Sequence, residues 1–176
     1  MKNLYLSLIL TIFSLWQGVA MAEFKLVSHS IKHGENIDPK YTCDGDNISP
    51  HLKWSDVPQG TKELVLIVDD PDAAKVKGGS GRTYVHWIVD DIDANEIPED
   101  ASRSGTVPGK EVKNHSRKTQ YYGPCPPDKE HTYRFNLFAL NEDIDVPAQI
   151  NADDFQKKYK EKILGKAQLK AKYNRS

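Results

Sequence analysis

Two stretches far apart in the chain share a vocabulary of carboxylate, imidazole, phenol and proline. They are Asp69-Asp70-Pro71-Asp72 running on to His86-Trp87, and Gly123-Pro124-Cys125-Pro126-Pro127 leading to His131-Thr132-Tyr133. Imidazole and phenol donate hydrogen bonds and a carboxylate orients an imidazole, so the set suits a phosphate or carboxylate oxygen. Pro71 fixes the turn that leaves Asp70, while Pro124, Pro126 and Pro127 stiffen the approach to His131 and withdraw backbone donors. Gly123 allows close approach of backbone. The ligand-binding residues expected on this reading are Asp70, Pro71, His86, Gly123, Pro124, His131 and Tyr133. His86 and His131 would donate to the anion, Tyr133 would donate from a second wall, and Asp70 would orient a histidine. The competing structural reading is a proline-rich loop that only covers a sheet edge.

The same side chains have the inventory of a two-histidine, one-carboxylate metal site, and Asp with His can orient a base. A hydrolase would still need a nucleophile. Ser49 and Ser80 stand in no Gly-x-Ser-x-Gly elbow, and Ser80 falls in a glycine-rich loop. The constellation therefore reads as a binding site and not an enzyme's, with no metal or cofactor.

Strands must position these groups. Residues 24–31, 64–69, 83–89 and 131–140 are rich in β-branched and aromatic side chains and are punctuated by Gly, Pro, Asn and Asp. Residues 64–68 are apolar on both faces, as a central strand covered on both sides requires. Alternation puts Leu64, Leu66, Val68 and Asp70 on one face, Tyr84, His86 and Ile88 on another, and His131, Tyr133, Phe135 and Leu137 on a third. Residues 151–164 predict the one clear helix: Asn151 and Asp154 form its start, Phe155, Tyr159 and Ile163 recur at four, and Gly165 stops it. Residues 167–173 alternate as a final strand. The stretch 94–120 reads as loop with a short strand near 107–112.

Lys2 followed by an apolar run to Trp16 and by Ala20-Met21-Ala22 reads as a signal peptide over residues 1–22. Residues 23–176 would then form one exported domain, periplasmic or secreted, with no transmembrane segment. Of 24 Lys plus Arg against 25 Asp plus Glu, the leader holds only Lys2, leaving 23 against 25. So even a balance offers no broad basic field for nucleic acid. Two cysteines in an oxidising compartment are more often paired than free, so Cys43 and Cys125 are expected to form a disulfide.

The segment Cys43-Asp44-Gly45-Asp46-Asn47-Ile48-Ser49-Pro50 carries a further signal, together with Trp54, Val57-Pro58, Asp70-Pro71-Asp72-Ala73, His86-Trp87, the Gly123–Pro127 run, His131 and Tyr133. In order and spacing these residues resemble the phosphatidylethanolamine-binding protein (PEBP) family, and within it the bacterial and archaeal branch labelled Raf kinase inhibitor-like. The resemblance implies a mainly β fold, with a large central antiparallel-rich sheet packed on a smaller one and few helices, one of them near the carboxyl terminus. It also implies an anion pocket at a sheet edge for small anions such as phosphate or a phospholipid headgroup, and a binding or regulatory role. A protein target reached through the loops 75–82 and 103–120, as in a protease inhibitor, is the alternative. The chain departs from the family pattern at Ala74, in the insertion 75–82, and at Thr132, where an arginine is usual.

Overall fold

A computed structural model describes residues 22–175; the leader read from the sequence lies, apart from Ala22, outside them. Eight strands form two antiparallel sheets. The smaller has the order β1 (Lys25–Val27), β2 (Leu52–Ser55), β5 (Glu96–Ile97). The larger has the order β6 (Lys110–Val112), β4 (Tyr84–Asp90), β3 (Glu63–Asp70), β7 (His131–Leu140), β8 (Ile163–Tyr173). Among the described residues there are two α-helices, α1 (Ala101–Ser104) and α2 (Ala152–Lys158). Among the described residues no helix is long and apolar enough to cross a membrane.

Strand β3 is central because every one of its eight residues is buried, which only a strand covered on both faces allows. On one face Leu66 and Val68 join Trp87, Phe135 and Leu137 against Leu52, Trp54 and Ile97 of the small sheet. On the other, Val65 and Ile67 join Ile88, Phe138 and Leu140 beneath Phe155 and Tyr159.

Helix α2 is shorter than the 151–164 expected. Asn151 caps it by accepting from the amides of Asp153 and Asp154, but Tyr159 ends it, and Ile163 already belongs to β8. The reason is tertiary: β8 pairs with β7 along its whole length, from His131 opposite Tyr173 to Leu140 opposite Ile163, and this ladder outweighs the helical spacing of Ile163. Gly165, expected as a helix stop, sits instead inside the strand, where a Cβ would lie 2.7 Å from Pro58 Cγ. Strands β2 and β5 and the turn α1 have no counterpart in the sequence reading; β5 and α1 fall within the stretch taken as loop.

Candidate functional site

The site begins with an irregularity in β4. Val68 pairs with Trp87, but the next residue of β3, Asp69, pairs with Val85, so His86 has no partner on β3. This is a β-bulge, which re-aims side chains and locally breaks a ladder. The His86 carbonyl turns to the other side and accepts from the Tyr122 amide at 3.2 Å and from Asn114 Nδ2 at 2.9 Å. Alternation is reset as a result. Trp87 and Val89 lie in the core shared with Tyr133, whereas Val85 and Ile88 lie in the core beneath α2. The expectation that Ile88 shares a face with His86 is thereby corrected; the extra residue shifts the phase by one.

Strand β7 keeps its alternation. His131 and Tyr133 point to the same side as Phe135 and Leu137, and β3 delivers Asp70 at its end on that side too. A cavity of about 290 Å³ results, whose polar lining includes Asp70, His86, His131 and Tyr133. Its apolar wall comes from Ala73 and Val76 on one side and Cys125 and Pro127 on the other, and the loop after β3 adds Gly79 and Ser80. Pro71, Gly123 and Pro124, expected as wall, do not border this cavity: each sits one residue away in sequence from one that does. Pro71 starts the short 3-10 turn Asp72–Lys75. A Cβ on Gly123 would meet the Tyr41 carbonyl at 2.4 Å, and its amide donates to Asn47 Oδ1 at 2.7 Å, so the close approach is to protein. The Pro124 carbonyl accepts from the Cys43 amide, beside the disulfide that joins Cys43 to Cys125.

The three acids of the first motif separate. Asp69 faces the opposite side, where it accepts from Arg134 and from the Ala152 amide at the start of α2. Asp72 accepts from the Thr132 amide at 2.9 Å and ties the turn to β7 at the position where an arginine was expected. Only Asp70 reaches the cavity. Its Oδ1 accepts from the amides of Asp72 and Ala73, and its Oδ2 receives His131 Nδ1 at 2.7 Å.

His131 Nε2 in turn donates to Asp128 Oδ1 at 2.9 Å. Burial opposes its charge, but the Asp70 and Asp128 carboxylates hold its pKa above the usual histidine value. With both ring nitrogens engaged, His131 is an organised imidazolium and not a free donor, which corrects the role expected for it. The same two bonds leave it no lone pair for a metal, and among the described residues no group of three or more His, Cys, Asp or Glu side chains is placed to hold one.

His86 is the opposite case. Burial pushes its pKa down to about 4, against smaller upward pulls from the Tyr122 carbonyl and Asp70. Nδ1 lies 2.7 Å from the Tyr122 carbonyl. Tyr133 stands beside it, ring centroids 5.3 Å apart and edge to face. The Tyr133 hydroxyl is buried and makes no hydrogen bond of ordinary geometry among the described residues; burial and the nearby Asp70 raise its pKa, against a smaller downward pull from the Cys125 backbone amide, which lies close without completing a bond.

The pocket thus sits at the end of β3, with Asp70 of one motif and Cys125 and Pro127 of the other in its lining, on a large sheet backed by a small one. The model of the family described as "Phosphatidylethanolamine-binding protein" matches residues 27–174. The chain belongs to the phosphatidylethanolamine-binding protein family. A UPF0098 protein of Aquifex aeolicus is 41% identical over 160 residues, covering 88% of this chain and 90% of that one. A UPF0098 protein of Methanothermobacter thermautotrophicus is 36% identical over 154 residues, covering 85% and 98%. The crystal structure of Escherichia coli YbcL superposes with a TM-score of 0.74 at 30% identity, covering 88% of this chain and all of that one. PEBP membership and the two-sheet architecture are thus both established for this chain. Sequence reasoning found the four polar residues that converge. Alternation places Tyr84 on the His86 face without assigning it to the site; Tyr122 and Asp128 were missed, because they carry no motif of their own and meet the site only through the proline-rich loop.

Proposed function

We propose that this PEBP is an exported, non-catalytic binding protein whose pocket takes a small phosphate-like group, free or as a headgroup. The observation that carries the reading is the Tyr133 hydroxyl, buried and unpartnered at the wall of the cavity. A buried donor left unsatisfied costs about 1–3 kcal/mol, and the group best placed to satisfy it is a ligand oxygen. A cavity of about 290 Å³ is at the small end for ligand pockets, which suits a headgroup-sized ligand better than a lipid tail.

The non-catalytic part is supported by the state of His131 and of Ser80. His131 has both nitrogens bound to carboxylates, and Ser80 lies in a loop between glycines at positive φ, Gly78 and Gly81, far from the fixed geometry a nucleophile needs. Export is supported by the leader-like residues 1–22 and by the Cys43–Cys125 disulfide.

The test is titration of the mature protein with inorganic phosphate, followed by the ring resonances of His86 and Tyr133. Saturable shifts at both are expected, and Tyr133→Phe is expected to weaken binding about tenfold, the worth of one buried hydrogen bond. No shift at either ring sinks the reading. Turnover of a phosphomonoester that disappears in His86→Ala would replace it with an enzymatic one. Amino-terminal sequencing of protein from outside the cytoplasm is expected to begin at Glu23.

A further inference from the structure

We infer that the pocket selects an oxyacid group that still carries a proton, a phosphate monoester or phosphonate, over fully ionised oxyanions such as sulfate or a phosphodiester. This deepens the binding reading above and rests on it. The ground is hydrogen-bond polarity. A carbonyl oxygen offers only lone pairs, so the 2.7 Å contact between His86 Nδ1 and the Tyr122 carbonyl places the ring proton on Nδ1. Neutral imidazole has a single N–H, and Nε2, which has no protein partner among the described residues, is then an acceptor. Tyr133 Oη, unpartnered and 1% exposed, offers a donor beside it. The two rings present one acceptor and one donor. A monoprotonated phosphate matches them, with P–O–H directed to His86 and P–O⁻ receiving from Tyr133. Sulfate meets Nε2 with a lone pair against a lone pair.

The charges around His86 reinforce the choice. Asp70 on β3 is a carboxylate already saturated by His131 and two amides. Burial, the largest influence, and His115, from the loop after β6, disfavour a proton on His86, and together they outweigh the opposite pulls of the Tyr122 and Gly123 carbonyls and of Asp70. Tyr84, Tyr122 and Tyr133 complete the ring's surroundings and bring no formal charge. Among the described residues no Lys or Arg lines the cavity. The single cation, His131, is flanked by two carboxylates, so nothing there compensates a second negative charge on the ligand. With a pKa near 4, about 1% of His86 is protonated at pH 6. An ionised oxyanion that needs the protonated ring sees its apparent affinity reduced by that fraction.

The experiment is calorimetric titration of the mature protein with methyl phosphate, inorganic phosphate, sulfate and dimethyl phosphate between pH 5 and 8. Methyl phosphate is expected to bind with nearly constant affinity below its own pKa of about 6 and to weaken about tenfold per unit above it. Sulfate and dimethyl phosphate are expected to bind at least about tenfold more weakly at pH 6, and to gain about tenfold per unit as pH falls towards 5. Equal affinity of sulfate and methyl phosphate at pH 6 would overturn the selection while leaving the pocket reading intact. Failure of all four to bind overturns both. Glycerophosphoethanolamine binding as tightly as methyl phosphate would also overturn it, because the donor to His86 would then be an ammonium. Phosphatidylcholine vesicles with and without phosphatidic acid separate a lipid monoester from a free one as the source. His86→Asn, whose amide can donate, is expected to lose the preference against sulfate; the wild-type pH series decides the matter if that variant does not fold.

Discussion

Tyr133 and Glu63 are two of the three described residues, Asp100 being the other, where burial has left a polar atom without a partner, and these two lead to different expectations. The Tyr133 oxygen borders the cavity, so Tyr133→Phe removes an unsatisfied group. Thermal unfolding is expected to show equal or slightly higher stability, by up to about 1 kcal/mol, in a variant that binds phosphate poorly. A loss of several degrees would mark the hydroxyl as structural. Glu63 is 4% exposed and lies far along β3 from the pocket. Burial, with Asp90 and Asp143 nearby, pushes its pKa up to about 8, against a smaller pull from the Ile144 amide. A folded pKa above the unfolded value means the folded state holds the proton more tightly, so this contribution is complete below about pH 4.5 and is lost as pH rises through 8. Urea denaturation from pH 5 to 9 is expected to show this decline, and Glu63→Gln to flatten it. His86 acts in the other sense: its folded pKa lies below 6.5, so the fold gains stability as pH rises from about 4 to 6.5.

Among the elements, the bulge in β4 and the clamp on α2 do the positioning. The bulge lets one strand present both His86 to the pocket and Trp87 to the core, which regular alternation forbids. On the reverse face, the Arg134 guanidinium grips Asp69 through Nε and Nη2, both at 2.8 Å, and reaches Asp153 in the first turn of α2. Asp69 is fully buried, so removing its cation leaves an uncompensated charge. Arg134→Ala is expected to cost about 3 kcal/mol in chemical denaturation, with Asp69→Asn in the same chain restoring part of it. Equal loss in the single and double variants would show that the charge pair is not the cause. Gly123→Ala tests the proline-rich element: with 2.4 Å to the Tyr41 carbonyl, the loop carrying Tyr122 and Cys125 must move. Destabilisation of about 1–3 kcal/mol together with weaker phosphate binding is expected, whereas unchanged stability would mean the loop yields freely.

At the scale of the molecule, the disulfide ties the Cys43 loop to the pocket wall across 82 residues. In the chain-entropy account a loop of that length is worth about 4 kcal/mol, so Cys43→Ser with Cys125→Ser is expected to lose about that much in denaturation and to loosen the wall at Pro127. Unchanged stability after reduction would contradict it. The doubly covered β3, the exact span of β7 and the cap at Asn151 were legible from composition and alternation, because those features are local or follow from a strand's own periodicity, whereas the two-sheet architecture was legible only through the resemblance of the motifs to the PEBP family. So were the polar residues Asp70, His86, His131 and Tyr133, since chemistry-bearing side chains in rigid, proline-bounded segments announce themselves by type. What only the tertiary structure decided is how those groups spend their hydrogen bonds. His131 looked like a donor and is held between two carboxylates, Gly123 and Pro124 looked like pocket wall and pack on protein, and His86 owes its aim to one unpaired residue. Register, bulges and partners are set between strands distant in the chain, and a residue's own neighbours in sequence carry no record of them.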